Sequence, residues 1–467
     1  MKKVRGVWLT NVDSDVYHSK NNIDAAIELL SKTGFNVVFP VVWNKGYTLY
    51  PSDVMEQHFG SAFKIDPLYQ VPARDPLEEI VKAARKFKLK VIPWFEYGFA
   101  ASAVQKIRTD GGELQEQEFG KHILDEKPNF AAVNHSGQPL IKPHPQNVGD
   151  VGFKWMNALN PEVQDFMIEL MVEVLQKYDV DGIQGDDRLP AFPVEGYDQD
   201  TAKHFNQKHG KPPNTIPAGT DPKWMEFRAD VLTKFLQNLC EQVRQVETNK
   251  GKKLLISMAP HPRDFGFGNY LQDTKAWLEL VDMMHPQLYR KTFSEYKDLV
   301  AREVNSLSTT QIAKLSPGVL IKLGDYRIGE DPQQPANNDP NHLQKAIKLN
   351  RDKGFAGETF FFFEGLRITD TSIAEALRGT HYAINKLGDE GPDVFKIQVL
   401  LKKLNVVKYD PGEVDGIFGK KTEDAVKAFQ KAQGFSPSLV DGKVGIQTLG
   451  KLGVANLTAF GNLPVPL

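Results

Sequence analysis

The chain has 467 residues, of which 41% are apolar and 25% charged, with a formal net charge of -2. That length exceeds what one hydrophobic core usually serves, so at least two domains are expected. The charge balance excludes the basic footprint of a nucleic-acid binder, and no run approaches the roughly 18 apolar residues of a membrane span.

The opening, Met1-Lys2-Lys3-Val4-Arg5-Gly6-Val7-Trp8, passes from two lysines straight into a strand pattern and leaves no room for the apolar stretch of a signal peptide. Either a leader has been removed or export takes another route. Short apolar runs then alternate with amphipathic stretches, the pattern of parallel βα units. The runs lie at residues 6–10, 37–43, 90–97, 182–187, 254–260, 283–289, 318–322 and 359–364. Most are unbroken rather than alternating, as strands are when helices cover one face and packed side chains the other.

Asn160-Pro161 reads as the N-cap and first residue of a helix whose apolar face is Val163, Phe166, Met167, Leu170, Met171, Val174 and Leu175. Asp75-Pro76 before Leu77, Ile80, Val81 and Ala84 repeats the device, as does Asp339-Pro340 before Leu343, Ala346 and Ile347. Gly34 and Gly354 are placed to end helices. Eight such units, with no Gly-rich phosphate turn after the first strand, predict an α/β fold: a (β/α)8 TIM barrel over residues 1–384. The stretch from about Ala100 to Gly152 is a long insertion of the kind that builds substrate sites. Its His135 and His144 read as loop histidines without a metal. Cys240 falls on a helical pattern with Phe235, Leu236, Leu239 and Val243, so a buried inert thiol is expected, and a single cysteine allows no disulfide within the chain.

Catalytic groups of such a barrel gather at the carboxyl ends of the strands. The fourth run ends Gln184-Gly185-Asp186-Asp187-Arg188, two carboxylates and a guanidinium where an apolar strand stops. Either acid suits a nucleophile or base, with Arg188 holding one of them ionised; the plainer alternative is a loop-capping ion pair. The third run ends Trp94-Phe95-Glu96-Tyr97, and the eighth places Glu364 after four phenylalanines. Apolar surroundings favour a protonated carboxyl, so Glu96 or Glu364 is the candidate acid, a buried ion pair being the alternative for each. His285, Gln287 and Tyr289 offer hydrogen-bonding groups for sugar hydroxyls, as does Gln184. Trp8, Trp43, Trp94, Tyr97 and Tyr289 are candidates to stack on sugar faces or to pack the interior. The fifth run, Ser257-Met258-Ala259-Pro260-His261, supplies no acid. No HExxH, paired CxxC, GxSxG or phosphate-binding loop is present, so neither metal, cofactor nor covalent serine chemistry is expected.

Arg5-Gly6-Val7-Trp8-Leu9-Thr10-Asn11, Leu159-Asn160-Pro161-Glu162-Val163 and Asp181-Gly182-Ile183 followed by Asp186-Asp187 together resemble the bacterial glycosyl hydrolase-like 10 family over roughly residues 4 to 380. The resemblance implies a catalytic (β/α)8 barrel, and through some relatives the cleavage of peptidoglycan glycan strands. A second resemblance covers Asp393 to Leu452: Ile397-Gln398, Gly412-Glu413-Val414-Asp415-Gly416-Ile417-Phe418-Gly419, Phe429-Gln430 and Val440-Asp441-Gly442-Lys443-Val444-Gly445 are similar to peptidoglycan-binding domain 1. The two Asp-Gly segments look like an internal repeat. A small all-α module at 393–455 is therefore expected, after a linker at 385–392 and before a tail at 456–467.

The reading is a glycosidase that hydrolyses a β-linked peptidoglycan or related amino-sugar glycan, localised to the cell wall or periplasm. A non-catalytic wall-binding barrel and a hydrolase of another extracellular polysaccharide are the alternatives.

Overall fold

Valines, isoleucines and aromatic residues, which suit a pleated and fully covered surface, fill the runs that become strands. The computed structural model describes residues 4–12, 14–108, 114–117, 122–143, 151–323, 326–327, 342–367 and 385–454. All eight expected runs contain strand: β1 (Val4–Leu9), β2 (Val37–Pro40), β3 (Lys90–Val91), β4 (Trp94–Phe95), β5 (Gly182–Gly185), β6 (Leu255–Met258), β7 (Met283–Met284), β8 (Gly318–Leu320) and β9 (Gly357–Phe361). The third run is split because Pro93, which has no N–H to give a ladder, interrupts it. Its halves join different sheets.

One parallel sheet has the order β8-β9-β1-β2-β3 and the other the order β7-β6-β5-β4. Among the described residues no pairing closes these strands into a ring. The observed fold is therefore mixed α/β with two parallel sheets, where the sequence predicted one closed barrel. Two compact units follow the division: Met1–Pro40, Glu79–Ile92 and Leu288–Leu467 in one, Val41–Glu78 and Pro93–Gln287 in the other. In the first, Arg5 and Glu358 sit opposite each other on β1 and β9, both buried and joined at 3.0 Å.

The capping signals act as expected. Asn160 accepts from the Glu162 N–H at the start of helix Pro161–Lys177, and the whole predicted apolar face is buried. Asp75 accepts from the Glu78 N–H ahead of helix Pro76–Lys86. Gly34 and Gly354 adopt φ of 80° and 78°, the left-handed conformation that ends a helix without Cβ strain. Leu343, Ala346 and Ile347 are buried on helix His342–Asp352, while Asp339-Pro340 lies outside the described residues. Cys240 is buried on helix Pro222–Lys250, and burial pushes its thiol up to about 12.

The insertion after β4 makes an antiparallel sheet in which Val151–Trp155 lies between Ile141–Pro143 and Ala100–Arg108, the last also pairing with Leu114–Gln117. His135 donates to the Glu195 carbonyl at 3.0 Å, and His144 lies outside the described residues.

The C-terminal module packs helices Pro392–Lys403, Lys420–Ala432 and Ile446–Lys451 around Val394, Ile397, Leu401, Phe418, Val426 and Phe429. Its repeat is structural as well as sequential. Gln398 accepts from the Gly416 N–H and donates to Asp415 and Thr422; Gln430 accepts from the Gly442 N–H and donates to Asp441 and Thr448. Within residues 385–392, expected to be linker, the backbone pairs with the module. Asn385 bridges Val444, Glu390 bridges Ile417, and the Gly388 N–H bonds the Phe418 carbonyl. Composition alone favoured a linker; backbone pairing with the two Asp-Gly turns overrides it. The expected tail at 456–467 lies outside the described residues.

Candidate active site

β5 stops at Gly185, where a Cβ would lie 2.5 Å from the Leu189 carbonyl oxygen and 2.6 Å from Met258 Sδ. Only glycine lets the chain turn there directly into Asp186-Asp187-Arg188. After β4 the chain turns at Gly98, whose φ is 49° and whose missing Cβ would meet the Arg188 carbonyl oxygen at 2.4 Å. The two turns pack backbone to backbone, which brings Glu96 beside the Asp pair.

Every carboxyl in this cluster has a named partner. Gln287 Nε2 donates to Asp186 Oδ1 at 2.8 Å and to the Ala259 carbonyl at 3.0 Å. Arg188 Nη1 lies 3.5 Å from Asp186 Oδ2 and 3.2 Å from Asp187 Oδ1, and donates to the Glu96 carbonyl at 3.2 Å. Its guanidinium sits 4.5 Å from the Phe153 ring centroid and 5.4 Å from that of Tyr97, so aromatic faces hold the cation on the carboxylates. Asn44 Nδ2 donates to Glu96 Oε2 at 2.6 Å. His261 Nε2 lies 3.3 Å from Asp187 Oδ2.

Burial holds the Asp186 carboxyl well above its usual range; the neighbouring Asp187 charge adds to this, and Arg188 only partly opposes it. Burial works against charge on Arg188, but Asp187 and Asp186 outweigh it and keep the guanidinium firmly protonated. Burial also pushes His261 down, although Asp187 pulls the other way. Two adjacent carboxyls in a dry site cannot both ionise cheaply, so such a pair holds one proton and offers an acid and a base side by side.

Glu96, Tyr97, Asp186, Asp187, Arg188 and Gln287 come together in the second unit. The other candidates of that unit are interior. Trp43 is fully buried and donates from Nε1 to the Gly98 carbonyl at 2.8 Å; Trp94 and His285 are buried; Gln184 donates across the sheet to Ser257 Oγ at 3.2 Å. These four, candidates to meet sugar, are buried among the strand ends. In the first unit Trp8 is likewise buried, edge-on to Tyr289 and Phe361, and Tyr289 stacks on Phe361 at 4.8 Å. Glu364 opens helix Glu364–Arg367 and accepts from Ser14 Oγ at 2.7 Å.

His261 and Asn44 were missed as site residues. Both are polar residues ending apolar runs, so the rule that found the acids covers them, had it not been restricted to acids. Phe153 comes from the inserted sheet and carries no local signal.

In fold, the molecule is similar to glycosidases. A β-galactosidase from the haloarchaeon Halorubrum lacusprofundi superimposes with a TM-score of 0.53 at 11% identity, covering 91% of this chain and 64% of that one. The α-L-fucosidase isoenzyme 2 of Paenibacillus thiaminolyticus gives 0.51 at 15% identity, covering 83% and 51%. In sequence, the glycosyl hydrolase DigH of Escherichia coli K12 is 22% identical over 396 residues, which span 74% of this chain and 80% of that protein. Residues 3–343 match the glycosyl hydrolase-like 10 model, and the chain belongs to that family. Residues 390–452 match a peptidoglycan binding domain.

Proposed function

We propose that the protein is a glycoside hydrolase of peptidoglycan glycan strands, working at the cell wall or in the periplasm. The observation that carries this reading is the buried Asp186–Asp187 pair beside Arg188, in which burial and mutual repulsion raise the Asp186 carboxyl well above its usual range. Asp186 would protonate the glycosidic oxygen as it leaves. Asp187, faced by Arg188 and His261, would stay ionised to activate water or to attack the anomeric carbon. Glu96, steadied by Asn44, is the third carboxyl of the cluster, and Glu364 remains a candidate acid by its strand-end position.

The strand orders support an underlying (β/α)8 topology: numbered by the eight sequence runs they read 7-8-1-2-3 and 6-5-4-3, consecutive throughout. On that reading residues 1–384 are the catalytic body, and the module at 393–455 raises the local concentration of wall polymer.

The test is mass spectrometry of products from purified peptidoglycan, intact and stripped of stem peptides, with wild type, Asp186→Asn, Asp187→Asn, Glu96→Gln and Glu364→Gln. Sugar fragments that disappear in the two aspartate variants are the expected outcome. Binding to sacculi without any fragments would favour a non-catalytic wall-binding protein, and fragments from a soluble glucan instead would point to another polysaccharide.

A further inference from the structure

Trp8, Trp43 and Trp94 are buried, and among the described phenylalanine, tyrosine and tryptophan side chains Phe265 alone is exposed, at 43%. It stands on helix Arg263–Tyr270, just after β6, at the outer end of a column of rings in the second unit. Trp155 stacks on Tyr270 at 5.8 Å, Tyr270 stacks on His261 at 4.8 Å and 24°, and Phe265 makes a T-shaped contact with the imidazole at 5.0 Å. His261 Nε2 lies 3.3 Å from Asp187 Oδ2, so one side chain separates the exposed ring from the carboxyl pair. Gln272 fixes the column against the acids: its Oε1 accepts from the His261 N–H at 3.1 Å and its Nε2 donates to the Asp187 carbonyl at 2.9 Å.

The same helix carries two glycines, which are costly inside a helix. Gly266 has a packing reason, since a Cβ there would lie 2.6 Å from Gln272 Oε1. Gly268 has none: a Cβ would meet nothing within 4 Å, and its φ lies outside the left-handed region. Gly266 and Tyr270 are the buried positions of the helix, while Phe265 and Gly268, three residues apart, share its opposite, exposed face. A lone exposed apolar side chain is ordinary. An anchored ring beside bare backbone, next to a carboxyl pair, is a surface on which a flat ligand can lie and approach the main chain closely.

Taking the Asp186–Asp187 cluster as the hydrolytic site, we propose that Phe265 and Gly268 form a sugar subsite beside it, holding a pyranose unit that neighbours the one being cut. The chemistry of the surface selects the ligand class. An all-equatorial pyranose, as in the amino sugars of peptidoglycan, presents only axial C–H groups on its faces, and such an apolar slab stacks on an aromatic ring. An axial hydroxyl would break that face, so the platform favours gluco-configured units. Their hydroxyl and N-acetyl substituents radiate from the rim, and the missing side chain at Gly268 leaves room for one of them. Binding a unit that does not react anchors the polymer, so that the next linkage is held against the acids.

The experiment is fluorine NMR of the full chain carrying para-fluorophenylalanine, in an Asp186→Asn background that leaves the glycan intact, titrated with peptide-free glycan strands from purified peptidoglycan. Loss of one signal in Phe265→Leu assigns the Phe265 resonance, which should move as glycan is added. Kinetics on the same strands, with Asp186 in place, compare wild type with Phe265→Ala, Phe265→Trp and Gly268→Leu. Phe265→Ala should raise KM roughly three- to tenfold with kcat retained, because stacking on a spectator unit is lost equally from ground and transition states. Phe265→Trp should restore KM. Gly268→Leu should raise it by a similar factor without lowering the melting temperature, since its Cβ meets no protein atom. Sugar release with an unmoved Phe265 resonance, or with unchanged KM in Phe265→Ala, overturns the platform and leaves the hydrolase reading standing. A resonance that moves while wild type releases no sugar sinks the hydrolase reading and keeps the platform as a glycan-binding surface; neither response overturns both.

Discussion

Arg188→Met is the most informative single perturbation of the cluster. Methionine keeps an unbranched side chain against the Phe153 and Tyr97 rings while removing a cation that lies 3.5 Å from Asp186 and 3.2 Å from Asp187. At an effective dielectric of about 20, each such contact is worth about 5 kcal/mol, or three to four units of carboxyl ionisation. Relaxation and water entry return part of this, and if they return half, about two units remain. The pair should then be doubly protonated at neutral pH. Activity on peptidoglycan at pH 7 should fall by roughly a hundredfold and recover as the pH is raised. Infrared titration of the carboxylic band gives the same shift without substrate. An ionisation displaced by less than about half a unit, in a variant that still melts cooperatively, would refute the electrostatic account of the site.

Asp186→Asn should abolish hydrolysis and yet raise the melting temperature at neutral pH. The folded protein keeps a proton on Asp186 that the unfolded chain releases above about pH 4, so wild-type stability falls as pH rises from there through the raised folded value, and the amide removes that loss. Gly98→Ala should cost about 1–3 kcal/mol in thermal melts and impair catalysis although it touches no acid, since both its φ and its space exclude a Cβ. Gln398→Ala and Gln430→Ala should destabilise the module by similar amounts, about 1–3 kcal/mol each, because each leaves a buried glycine N–H without its acceptor. Unequal losses, read by melting and by sacculus pull-down, would argue against the repeat. Cys240 should react with a thiol reagent only on unfolding, since burial keeps it from forming a thiolate.

Strand positions and helix caps were legible because they are local. Asn160-Pro161 and Asp75-Pro76 encode their helices within four residues, and each apolar run had only to be covered on both sides. Pro93 was equally legible and was passed over: an imino acid inside a central run forecasts the break between β3 and β4. The acids at 186, 187 and 96 could be found by strand-end logic, but no sequence pattern separates Asp186 from Asp187. What distinguishes their surroundings is Gln287, Arg188 and His261, which lie at different distances from the two carboxyls. The tryptophans show the opposite limit: Trp8, Trp43 and Trp94 stand near strand ends as sugar platforms would, and only the packing around them shows how deeply they are buried. The stretch 385–391 looked like a linker because glycine and acids are common there; its pairing partners are the Asp-Gly turns about 25 to 60 residues further on.

Phe153 belongs to the inserted antiparallel sheet, yet it grips the arginine that partly offsets the upward push of burial on Asp186. Connecting segments tolerate sequence change better than the strands they join. Here that freedom is limited: a change in the inserted sheet that moves Phe153 also loosens its hold on Arg188, which lies 3.5 Å from Asp186 and 3.2 Å from Asp187. Variation in the insertion is thereby coupled to the charge balance of the carboxyl pair.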